Sequence, residues 1–138
     1  MGSEMCIRDS DKPATQAYDK AFAAADPTDV APITFDAQNF DAVVLCYLGA
    51  VAAGSADGPA IATAIPEISA PGGRLYTWEQ LPQAIEALQN GEDIDYEGAS
   101  GAIDFDEAGD PTAGVYDIFE YKNGVDETVD EVPVATGN

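Results

Sequence analysis

At 138 residues the chain has the length of one domain or of one piece of a larger one. Its 46% hydrophobic content excludes a disordered chain, and no run reaches the roughly 18 consecutive apolar residues that a membrane-crossing helix needs, so no membrane insertion is expected. Five Lys plus Arg against 26 Asp plus Glu give a net charge of -21, which disfavours nucleic acid as a partner, and the absence of histidine removes Ser-His and Cys-His catalysis and most zinc sites.

Residues 1–10 show neither helical nor strand periodicity and read as a non-native leader. Residues 14–25 are alanine-rich, with Tyr18 and Phe22 four apart, and predict a short amphipathic helix that Asp26-Pro27 stops. The strongest helix is predicted over 36–53. Ala37, Phe40, Val44, Tyr47, Leu48 and Val51 recur at spacings of three and four, and Gly54 is placed as the C-cap. Cys46 is expected as a buried thiol on this helix. A stripe this apolar needs a sheet to lie on, and strands outside this chain are expected to supply it.

Asp57-Gly58-Pro59 predicts the start of a helix that Pro66 ends at Ile65. Thr77-Trp78-Glu79-Gln80 reads as a capping box for a helix over 78–90 closed by Gly91, with Pro82 delaying or kinking its start. The period then switches from 3.6 to 2. This predicts an antiparallel pair between 99–105 and 114–121, around an acidic turn at 106–111. Asn123-Gly124 marks a tight hairpin turn, and 125–138 reads as an acidic tail or weak strand.

Several groups invite chemistry. Asp104, Asp106, Glu107 and Asp110 could offer oxygens to calcium, but the spacing fails the EF-hand pattern and a solvated turn is the favoured reading. Gly98-Ala99-Ser100-Gly101 lacks the Gly-x-Ser-x-Gly spacing of a nucleophile elbow and reads as a glycine-loosened strand start. No catalytic residue, metal site or cofactor is expected, and the chain is read as a non-enzyme. The segment 35–43 has the best claim to function. An aromatic ring at a helix mouth can cover an aliphatic group, while the helix N-terminus offers donors to a carboxylate.

Three segments in this order carry a resemblance: Phe40-Asp41-Ala42 on a helix ending Ala52-Ala53-Gly54-Ser55; the run from Gly91-Glu92-Asp93-Ile94-Asp95-Tyr96 to Gly98-Ala99-Ser100-Gly101; and Phe105-Asp106-Glu107-Ala108-Gly109-Asp110 followed by Tyr116-Asp117-Ile118. Together they resemble the C-terminal end of the branched-chain amino-acid (Leu/Ile/Val-type) receptors that feed ABC importers. The triplet departs from that family's Tyr-Asp-Ala in having Phe40. The resemblance implies an α/β fold, the C-terminal portion of a two-lobe type I periplasmic-binding-protein fold, with residues 11–124 a partial domain. It also implies a small-molecule solute as ligand, a membrane ABC permease as partner, and a periplasmic or extracellular location, with a lipoprotein form open. It places Phe35, Asp36 and Gln38 at the ligand. Two alternatives stay open: a ligand-sensing domain of the same fold in a regulator or receptor, and an acidic extracellular module with a calcium-binding turn.

Overall fold

Four helices and two three-stranded sheets are found among the described residues. The computed structural model describes residues 4–7, 13–25, 35–106 and 108–135. In order these hold β1 (Glu4–Ile7), α1 (Pro13–Ala25), α2 (Asp36–Ala53), α3 (Gly58–Ile68), β2 (Arg74–Thr77), a 3₁₀ turn (Trp78–Gln80), α4 (Leu81–Gln89), β3 (Ile94–Gly98), β4 (Gly101–Ala102), β5 (Ala113–Lys122) and β6 (Val125–Ala135). The protein is mixed α/β. Among the described residues no single helix is long and apolar enough to cross a membrane.

Helix α2 is the centre of the packing. Ala37, Asp41, Val44, Leu45, Leu48 and Gly49 are buried, again at spacings of three and four. Val44, Leu45 and Leu48 meet Tyr76 of β2, Ile94 and Tyr96 of β3, Ile68 of α3, and Ala84 and Ala87 of α4. Each large side chain so buried contributes about 1.5–3 kcal/mol. The buried face is in part the one expected. Ala37, Val44 and Leu48 are buried as expected, but Tyr47 is 57% exposed and the Cys46 thiol is exposed rather than buried. Among the described residues nothing covers the face that carries Val43, Cys46 and Tyr47. The sheet under the buried face comes from this chain: β2 and β3 run parallel, Tyr76 beside Tyr96, and are joined through α4. Gly54 ends α2 at φ 59°, as expected.

Helix α3 runs on through Pro66 to Ile68 instead of stopping at Ile65. The carbonyl that Pro66 leaves without a donor is that of Ala62, an exposed residue, so water can take its place. The capping box at Thr77 and Gln80 is present. It caps the 3₁₀ turn, and α4 begins only at Leu81 with Pro82 in its first turn, the delay expected of that proline.

The antiparallel pair expected between 99–105 and 114–121 does not form. The strand with alternating burial is β3, at 94–98, and it turns back at once into two-residue β4. Ile103 and Phe105 pack at the margin of the core, and only a single bridge, Phe105 with Pro111, spans the acidic turn. β5 pairs instead with β6 through Asn123 and Gly124, whose φ values of 55° and 84° make the two-residue turn expected there. Residues 125–135 are thus a full strand, not a tail. The other edge of β5 is taken by β1, Cys6 beside Asp117, so residues 4–7 form a strand despite their lack of pattern. Backbone pairing over four residues needs no side-chain periodicity. β6 is the outer strand of that sheet. It presents Glu127, Asp130, Glu131, Pro133 and the exposed Val129, Val132 and Val134.

Candidate functional site

Asp41 lies buried on the inner face of α2 and accepts four hydrogen bonds. Its Oδ1 accepts from the Tyr96 hydroxyl at 3.2 Å and the Ala99 N–H at 2.8 Å. Its Oδ2 accepts from the Ser100 N–H at 2.7 Å and the Ser100 hydroxyl at 2.6 Å. Four donors for one carboxylate compensate its desolvation, which an apolar helix face would otherwise make prohibitive. The turn from β3 to β4 is wrapped around this oxygen pair. A Cβ at Gly98 would fall inside contact distance of the Asp41 carboxylate, so glycine is required there by space. From the other side the Thr15 hydroxyl of α1 donates to the Ala99 carbonyl at 3.0 Å. Burial first, and then the Asp41 charge and hydrogen bond, hold the Tyr96 phenol well above its ordinary range. It stays a neutral donor at all working pH values.

One and a half turns towards the N-terminus, α2 begins at Phe35. This residue sits at φ 72°, ψ 13°, left-handed backbone that costs a bulky side chain about 1–2 kcal/mol. Its carbonyl is held by the backbone and side-chain amides of Asn39, at 2.9 and 2.7 Å, while its ring stands 43% exposed. Asp36 follows. Its Oδ1 accepts from the Ala37 N–H at 2.7 Å, and its Oδ2, though buried, has no hydrogen-bond partner among the described residues. Gln38 is half-buried in the same first turn. Phe35, Asp36 and Gln38 are therefore together at the head of α2. Phe40, one turn on, packs edge to face on Trp78 at 6.0 Å, a packing residue rather than part of the mouth.

The clamp itself was not predicted. Its signal in the sequence is Asp41, an acid at the same helical phase as Ala37, Val44 and Leu48. Gly98-Ala99-Ser100-Gly101 is a tight turn that closes β3 and, as expected, leads into a strand, the two-residue β4 that starts at Gly101. It is not a nucleophile elbow, because the Ser100 hydroxyl is spent on a carboxylate.

The acidic turn organises its own backbone. Asp106 Oδ1 accepts from the N–H groups of Ala108 and Asp110 at 2.8 and 3.0 Å, and the Thr112 N–H reaches the Asp104 carbonyl at 2.9 Å. Among the described residues no group of three or more acids or thiols converges as a metal cage. No family model, no curated protein and no solved structure matches this chain.

Proposed function

We propose that this chain is the C-terminal part of the solute receptor of an ABC importer, of the type I periplasmic-binding-protein class, working in the periplasm or at the cell surface. One observation carries the reading. Two of the segments that resemble those receptors, Phe40-Asp41-Ala42 and Gly98-Ala99-Ser100-Gly101, are 55 or more residues apart and are joined by the hydrogen bonds of Asp41. Residues that serve one shared piece of architecture are expected to meet in this way. A second observation supports the choice of site: Phe35 holds an exposed ring in a strained conformation, and strain of that kind gathers at ligand contacts.

In this reading Phe35 covers the apolar part of a branched-chain or related amino acid. Asp36 and Gln38 offer polar atoms beside it, and a permease takes the closed receptor. The decisive experiment is calorimetric titration of leucine, isoleucine and valine into the longer receptor polypeptide that contains this stretch. Binding that falls by about 1–3 kcal/mol in Phe35→Ala supports the assignment. Unchanged affinity in that variant removes Phe35 from the site, and no binding of any of the three in the parent removes the solute class.

A further inference from the structure

The dipeptide Asn-Gly occurs twice in the chain, at 90–91 and at 123–124, and all four residues are exposed. The fold treats the two copies differently. Asn90 and Gly91 close α4. The Asn90 N–H donates to the Glu86 and Ala87 carbonyls, each at 3.1 Å, the Gly91 N–H to the Leu88 carbonyl at 3.0 Å, and the Glu92 N–H to the Ala87 carbonyl at 3.0 Å. With Gly91 at φ 75° this is a Schellman closure, and every amide of 90–92 is in use. Asn123 and Gly124 instead form the tip of the β5–β6 hairpin. The ladder ends at the Lys122 and Val125 pair, and the two residues between them lie outside it. Among the described residues the Gly124 N–H donates to no turn or loop carbonyl.

We propose that Asn123 is a site of spontaneous deamidation, and that the helix end shields Asn90 from the same reaction. The Gly124 backbone nitrogen gives up its proton to base and attacks the side-chain carbonyl carbon of Asn123. The new bond from that nitrogen to Cγ closes a succinimide ring. The Cγ–Nδ2 bond breaks, and Nδ2 takes a proton from solvent and leaves as ammonia. Water then opens the ring at either carbonyl, giving aspartate or isoaspartate. Glycine suits the step because no Cβ crowds the attacking nitrogen. The attack needs a free amide and a backbone that can rotate beside the asparagine. At 123–124 the ladder holds neither. At 90–91 the attacking N–H is itself a donor, and rotation at Asn90 breaks the closure around it, so the helix end must open first.

The product alters the hairpin. Isoaspartate routes the main chain through Cβ, and so lengthens a connection whose length sets the strand register. Either product places a carboxylate next to Lys122, which already bridges Glu120 and Glu127 at 3.3 Å each.

Incubation of the full 138-residue chain in mildly alkaline buffer, followed by peptide mapping with mass spectrometry, tests this. The gain in mass that marks an amide turned into an acid, with isoaspartate resolved by chromatography, should accumulate at 123 several-fold faster than at 90. In denaturant that difference should largely vanish, because the reacting dipeptide is the same. Conversion at 90 as fast as at 123 in the folded chain overturns the proposal. So does a ratio between the two sites that denaturant leaves unchanged, since the flanking residues and not the fold would then set it. An Asn123 that stays intact while the denatured chain converts there overturns it as well.

Discussion

At the scale of the residue, Asp41 and Gly98 form a matched pair. Asp41→Ala strands the Tyr96 hydroxyl and two backbone amides in a dry site, at a cost of about 3–5 kcal/mol. Asp41→Asn keeps an acceptor at one position and turns the other into a donor facing donors, so it should fall between that variant and the parent. Gly98→Ala should match or exceed the usual overpacking cost of about 1–3 kcal/mol, because the obstacle is a carboxylate fixed by four hydrogen bonds. Urea melts of the three variants check the order; a Gly98→Ala protein as stable as the parent would mean that the turn is looser than its hydrogen bonds imply. Phe35 separates folding from function. Phe35→Gly relieves left-handed strain and should leave stability unchanged or raise it by up to about 1 kcal/mol. A loss of stability in Phe35→Gly would mark the ring as a packing anchor instead of a ligand contact.

At the scale of the element, the helices were legible and the strand pairing was not. Helix periodicity is written over 9–18 residues with caps at both ends, and α1, α2 and α4 lie within a residue or two of their expected bounds, once the 3₁₀ turn is taken with α4. β2 has four residues and β4 two, too few to carry a period. The alternation of Ile103 and Phe105 with Asp104 and Asp106 suggested a strand, yet those residues only line the core while β3 makes the ladder. Which strand pairs with which depends on contacts far apart in the chain, and no local pattern reports that. The candidate site was half legible: a helix mouth can be read from a motif, whereas the partners of Asp41 arise only once β3 is in place. Pro66 is the local rule that tertiary packing overrode. Pro66→Ala restores one backbone hydrogen bond in the last turn of α3 and should add about 1–2 kcal/mol, read as a rise in melting temperature.

At the scale of the whole molecule, charge dominates. With 26 acids against 5 bases, self-repulsion opposes the compact state, so added salt should raise the melting temperature. Asp95 adds a specific contribution. Burial first, then the charges of Asp104 and Asp93, raise its pKa on folding. A carboxyl raised in this way binds its proton more tightly in the folded chain than in the unfolded one. Its stabilising contribution is therefore present at low pH and is lost as pH rises through the raised value. Lowering the pH from neutral towards that value should raise stability, and Asp95→Asn should raise the melting temperature at pH 7 while flattening that limb of the profile. A profile unchanged by Asp95→Asn would assign the limb to the other acids.

The outer edge of β6 sets a boundary on how far such acidification can be taken. Among the described residues no further strand pairs with that edge, and beside Val129, Val132 and Val134 it carries Glu127, Asp130, Glu131 and Pro133, which discourage another strand from adding to it. Protonating those carboxylates in strong acid removes their repulsion from an 11-residue strand and leaves Pro133. Stacking of one copy on the next, and then fibre growth, should follow on storage at pH ~2–3, where the ordinary carboxylate is neutral. Replacing Val129 and Val132 by lysine would keep the edge charged in that acid and should lengthen the lag before thioflavin-positive fibres form.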